Sequence, residues 1–153
     1  MKRLQWYVMG SVLTAGLLGL AHEASGETLE AEHSANSQCR PRILKGHYVY
    51  ATDGYIVSGS ERVPFAQAGH DFFQGDGTFT GSATISTNGE ITRVVYTGTY
   101  TLKPDCSGTA TLTDNLGVTS HFDMFVSKNG TEVTYVQTDA GYVSSAFERR
   151  RDY

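Results

Sequence analysis

Between Gly75 and Thr113 large or apolar residues alternate with threonine and serine. In GDGTFTGSATIST, Phe79, Gly81, Ala83 and Ile85 fall on one face and Thr78, Thr80, Ser82 and Thr84 on the other. YTGTYTL and GTATLT, on either side of Pro104-Asp105-Cys106-Ser107-Gly108, keep the same beat. A period of two marks a strand with one buried and one solvated face, and Thr suits the solvated one. The reading extends to GHYVYATDGYIV, RVPFAQAGHDFF, EITRVVYTGTYTLK, VTSHFDMFVS, TEVTYVQT and YVSSAFER. Asp53-Gly54 is expected to interrupt the first of these, and Gly98 to mark a bulge or bend. Pro64 stands near the start of its run, where an edge or bulge tolerates it. The connectors carry turn chemistry: Asn88-Gly89 is a strong hairpin signal, and Asn115-Leu116-Gly117, Lys128-Asn129-Gly130 and Asp139-Ala140-Gly141 follow suit.

About eight short strands in meander order, with no helical periodicity after the first 26 residues, predict an all-β protein. The expected architecture is an up-and-down antiparallel β-barrel of about eight strands, because closure removes exposed edges. A β-sandwich is the runner-up. A barrel of this size is either filled by its own side chains or holds one small ligand.

The first residues read differently. Lys2 and Arg3 precede an uncharged, mostly apolar stretch from Leu4 to Leu20, and small residues follow. That is the layout of a secretory signal peptide. An uncleaved anchor is the alternative, but the stretch is short for a spanning helix and contains Gln5, Ser11 and Thr14. The expected organisation is a signal peptide over 1–26, a flexible polar leader over 27–38 and a barrel domain over 39–150; cleavage after Ala21 is the alternative. No later stretch approaches spanning length, so the exported protein, periplasmic or secreted, is expected free of the membrane as a monomer or weak dimer. The formal charge of −4 argues against nucleic acid as a partner. Arg149, Arg150 and Arg151 read as a solvated tail.

Exactly two cysteines occur, Cys39 and Cys106. In an oxidising compartment such a pair is expected to form a disulfide, here pinning the arm NSQCRPR across one end of the domain. A catalytic thiol is the alternative, but no His or basic cluster adjoins Cys106 in sequence.

GDGTFTGSATISTNGEI followed by YTGTYTLKPDCSGTATLT resembles small exported bacterial β-barrel proteins. Their architecture is similar to the allene oxide cyclase and dirigent barrel group, within the wider calycin-like barrels. The resemblance spans roughly residues 46–149 and rests on turn and strand motifs. It implies a barrel and, from the plant members, cyclisation or radical coupling of apolar substrates inside it without metal or organic cofactor. None of the group's catalytic positions is matched, and none is transferred.

Candidate chemistry is sparse. Acid–base work on a bound substrate would need a carboxyl or imidazole inside the barrel; His70, Asp71, Glu90, Arg93, His121 and Asp123 are the candidates. Of the neighbours His70 and Asp71 only one can face inward. Arg93 is either an inward cation able to hold a ligand carboxylate or an outer residue whose stem covers Ile91 and Val95. His121 and Asp123 share a strand face and would supply two metal ligands, but an outer polar pair is preferred, and no metal or other cofactor is expected. Gly75-Asp76-Gly77 has too few carboxylates for a calcium loop and reads as a turn. Aromatic residues are plentiful, and Tyr50, Phe72, Phe79, Tyr96, Tyr100, Phe122 and Tyr135 are the expected ligand-binding set. The expected function is binding of a small apolar or aromatic molecule in the lumen. The alternatives are a cofactor-free isomerase, cyclase or lyase, and a structural protein whose barrel is filled.

Overall fold

A computed structural model describes residues 39–151; the signal peptide and leader expected over 1–38 lie outside them. Eight antiparallel strands close into an up-and-down barrel. They are β1 (Gly46–Ser58), β2 (Glu61–Phe73), β3 (Thr78–Thr87), β4 (Glu90–Leu102), β5 (Ser107–Asp114), β6 (Thr119–Val126), β7 (Glu132–Gln137) and β8 (Tyr142–Arg150). Closure is made by β1, which pairs with β2 on one side and with β8 on the other. A single 3-10 turn, Pro41–Ile43, precedes β1.

Two expectations are corrected. Asp53-Gly54 does not interrupt the first strand: pairing to β2 runs from Gly46 to Ser58 without a gap. Gly98 is no bulge, for it pairs in register with Phe79 on β3 and Leu112 on β5. It is glycine because a Cβ there would enter the ring of Phe79. Asn88 and Gly89 both take positive φ, 48° and 92°, and form the tight turn between β3 and β4. The aspartates of the other turns work locally. Asp76 Oδ1 accepts from the amide and hydroxyl of Thr78, and Asp105 Oδ1 from those of Ser107, so Gly75-Asp76-Gly77 is a turn.

The strands deliver alternate residues to a single interior. One end of it is packed solid: Leu44, Tyr48, Phe73, Phe79, Tyr100, Met124, Val126 and Val133 are all buried there. Phe73 lies at the centre, with ring centroids 5.0 Å from Tyr48, 5.3 Å from Phe79 and 5.3 Å from Tyr100. Burying one such ring contributes about 2–3 kcal/mol. The 3-10 turn closes this end from outside. Tyr100 donates to the carbonyl of Pro41 at 2.8 Å, and Tyr48 to that of Gly130. Cys39 and Cys106 are disulfide-bonded, Cα to Cα 5.0 Å, and anchor the arm to the β4–β5 turn.

Candidate functional site

Towards the opposite end the interior is not filled. A cavity of about 280 Å³ extends from mid-barrel to the mouth formed by the β3–β4, β5–β6 and β7–β8 turns. Water occupies about 30 Å³ per molecule in the liquid, so this space exceeds a few waters and suits a ligand of one or two rings. Ile85, Val94, Ala110, Leu112 and Phe122 form apolar walls; Ile56, Phe65, Leu116, Val118 and Tyr142 surround the mouth.

The floor is polar. Tyr50 on β1, Gln67 and Asp71 on β2, Tyr96 on β4 and Tyr135 on β7 all reach it. Behind Asp71 lies Glu148 of β8, fully buried. Tyr96 donates to Asp71 Oδ1 at 2.6 Å and lies 3.1 Å from the hydroxyl of Tyr50, which accepts from Gln67 Nε2 at 2.9 Å. Tyr135 donates to Glu148 Oε2, while Glu148 Oε1 has no hydrogen-bond partner. Room for the Asp71–Tyr96 pair comes from Gly81, where a Cβ would overlap both side chains.

Burial sets the electrostatics. Loss of water raises the Glu148 carboxyl well above the ordinary range, and the neighbouring charge of Asp71 adds to this. Asp71 is raised too, by burial, with the Tyr96 hydrogen bond and the adjacent Glu148 carboxyl pulling the other way. Two adjacent buried carboxyls do not both ionise readily, so burial favours a state in which the pair holds one proton. Burial also lifts the Tyr50 hydroxyl to about 12 and those of Tyr96 and Tyr135 further, so all three are neutral donors.

Of the six titratable candidates, only Asp71 is brought to the lumen. His70, its chain neighbour, faces outward, as strand alternation requires. Glu90, Arg93, His121 and Asp123 are exposed on the exterior or at its turns. Arg93 is thus the outer residue of the two readings, although Ile91 and Val95 remain more than half exposed beside it. His121 is held by Asp139, through Nδ1 at 2.7 Å and through its amide at 2.8 Å; Asp123 takes no part. Among the described residues no three His, Cys, Asp or Glu side chains gather as metal ligands would.

Of the aromatic set, Tyr50, Phe79, Tyr96, Phe122 and Tyr135 line the cavity. Tyr100 belongs to the packed end instead, because it lies four residues further along β4 than Tyr96, towards the 3-10 strap. Phe72 is outside, its ring tilted against that of His47 with centroids 4.7 Å apart, since its neighbour Phe73 takes the inward position. It lines a broad outer depression of about 710 Å³ with His47, His70 and Thr97, which is open to solvent. Glu148 and Gln67 were not singled out from the sequence. Their parity is the available signal: Glu148 shares a face with Tyr142, Ser144 and Ala146, and Gln67 with Phe65 and Asp71.

No protein-family model matches the chain, and no curated protein matches it. Among solved structures it is similar to a de novo design of a fluorescence-activating β-barrel, with a TM-score of 0.52 and 10% identity, over 72% of this chain and 96% of that one. The likeness shows the eight-stranded barrel fold; kinship with the allene oxide cyclase and dirigent group is not shown by it.

Proposed function

We propose that the protein binds a small apolar or aromatic molecule in the barrel lumen, acting as an exported monomer or weak dimer after loss of residues 1–26. One observation carries this reading: the cavity of about 280 Å³ has apolar walls, a mouth open to solvent and a floor of convergent polar groups. A barrel serving only as structure has no use for such a space, since eight strands leave an interior that side chains can fill. The disulfide is in keeping with an oxidising compartment.

A second reading, a cofactor-free isomerase, cyclase or lyase, draws on the Asp71–Glu148 pair. Buried carboxyls that share a proton are suited to take a proton from a bound substrate and return it elsewhere on the same molecule.

Native mass spectrometry of protein purified from its own source tests both. The expected spectrum shows one small-molecule adduct per chain, absent from an Ala110→Phe variant whose new ring fills the lumen. A bare chain in both would sink the binding role. Release of an adduct chemically altered from what was loaded would favour the enzyme.

A further inference from the structure

We propose that the lumen takes a small aromatic or apolar amine, with its protonated nitrogen seated on Asp71. The proposal rests on the lumen-binding reading and names the chemistry of its ligand. It follows from counting protons at the floor. A tyrosine hydroxyl has one to give. The Tyr96 hydroxyl reaches both Asp71 Oδ1, at 2.6 Å, and the Tyr50 oxygen, at 3.1 Å, and its single proton favours the shorter contact to the carboxyl. Tyr50 in turn accepts from Gln67, and Tyr135 spends its proton on Glu148 Oε2. The Tyr96 and Tyr135 protons are thus both spent on the two carboxyls. An ionised carboxyl keeps acceptor capacity beyond these bonds, which favours a guest that brings donors.

The sign of charge agrees. The charged residues lining the cavity are Asp71 and Asp114; no Lys, Arg or His is among them. Asp114 is engaged at the rim, where its Oδ1 accepts from the amides of Leu116 and Val118. At the floor, Glu148 Oε1 is buried without a partner next to Asp71. The groups that face the carboxyl pair are Tyr50, Tyr96, Tyr135 and the carboxyls themselves, with Tyr48 beside Glu148; His70 acts on Asp71 from the outer side of β2, and Arg150 engages Tyr48 at the packed end. A carboxyl pair holding one proton thus carries a net negative charge with no cation in the lumen to meet it. An ammonium group supplies both the charge and the N–H donors. A carboxylate or phosphate guest meets like charge at the floor and no cation in the lining.

Titration calorimetry of the full barrel with three probes of one shape, naphthylmethylamine, naphthylmethanol and naphthoate, tests this at neutral pH. The amine is expected to bind at least about tenfold more tightly than the alcohol, and naphthoate most weakly. In Asp71→Asn the amine is expected to lose about tenfold while the alcohol shifts by no more than about twofold. A second measurement needs no variant: amine affinity in the wild-type protein should fall as pH is lowered and the pair takes up its second proton, with alcohol affinity unchanged. Equal binding of amine and alcohol, a preference for naphthoate, or a pH-independent amine affinity would overturn the amine proposal and leave lumen binding standing. Failure of all three probes to bind would overturn the lumen reading itself.

Discussion

The two halves of the barrel interior are built from the same strands and do opposite things. At the strapped end, Tyr48, Phe73, Phe79, Tyr100, Met124 and Val133 fill the space, and both tyrosine hydroxyls are satisfied by backbone carbonyls. At the mouth end small and polar residues among the inward set, such as Thr52, Gln67, Ala110, Ser120, Ser144 and Ala146, leave space between the apolar walls. The tyrosines at the boundary, Tyr50, Tyr96 and Tyr135, bond to side chains rather than to backbone. Stability is thus concentrated in one half, which leaves the other free to keep a hollow and a pair of buried acids that a filled core would exclude.

The largest effect should come from the strapped end. Phe73→Ala removes a ring that is 1% exposed and touches three others. It is expected to cost about 3–5 kcal/mol in chemical denaturation. Leu112→Ala, on the cavity wall, removes a side chain with open space on one side, and is expected to cost about 1 kcal/mol. Equal costs for the two would mean that the halves are not energetically distinct.

Next in size is the disulfide. It closes a sequence separation of 67 residues at the strapped end, remote from the mouth. Replacing both Cys39 and Cys106 by Ala should cost about 2–4 kcal/mol. Affinity for a lumen probe, measured on the folded fraction, should be unchanged. A matching loss of affinity would show that the strap also shapes the cavity.

The packed end was far more legible in sequence than the floor of the cavity, and the reason is physical. Alternation and turn chemistry place strands directly, and the run Phe79, Gly81, Ala83, Ile85 identifies its inward face because that face is the apolar one. In β8 the polarity is reversed. Val143 and Phe147 are on the outside, 61% and 49% exposed, while Ser144, Ala146 and Glu148 point in. A binding lumen needs polar groups inside, so the rule that assigns faces by hydrophobicity inverts at the place where the site lies. Glu148 is placed opposite Tyr50 and Val133 only through the register of β8 with β1 and β7, which a single sequence does not print. Phe72 and Phe73 illustrate the same limit, since adjacent identical residues leave the choice of inward ring to the pairing.

The buried acids give a smaller effect with a distinctive sign. Glu148 and Asp71 have raised pKa values in the folded state, so the folded protein binds more protons than the unfolded chain above about pH 4.5, the ordinary Glu value. Their contribution to stability therefore declines as pH rises, by up to about 1.4 kcal/mol per pH unit for one proton. The exposed turn aspartates Asp76 and Asp105 are shifted down by their Thr78 and Ser107 hydrogen bonds, and act in the opposite direction, losing their contribution as pH falls. Comparing wild type with Glu148→Gln cancels the turns. The amide keeps an acceptor for Tyr135 and a donor for Asp71 without a proton to lose. Its stability relative to wild type should grow from pH 5 to pH 8 in urea titrations. A difference that stays flat with pH would mean that the acid is not buried as described.

The smallest effect on stability should come from the mouth, and that is what makes it informative. Leu116 and Val118 line the cavity entrance yet are 62% and 49% exposed, on a turn already fixed by Asp114 and by the amide of Asn115 bonding to the carbonyl of Val95. Apolar side chains left in water contribute little to folding, so the double variant Leu116→Ser, Val118→Ser should change stability by no more than about 0.5 kcal/mol. They gain a partner only when the lumen is occupied, because a guest in the mouth removes their surface from water. The same variant should therefore weaken binding of naphthylmethanol by about threefold to tenfold, since burying some 25–50 Å² of apolar surface contributes about 1 kcal/mol. Loss of affinity with unchanged stability would assign the exposed apolar pair to the ligand. Loss of stability with unchanged affinity would move the boundary between the two halves outward and make the mouth part of the scaffold.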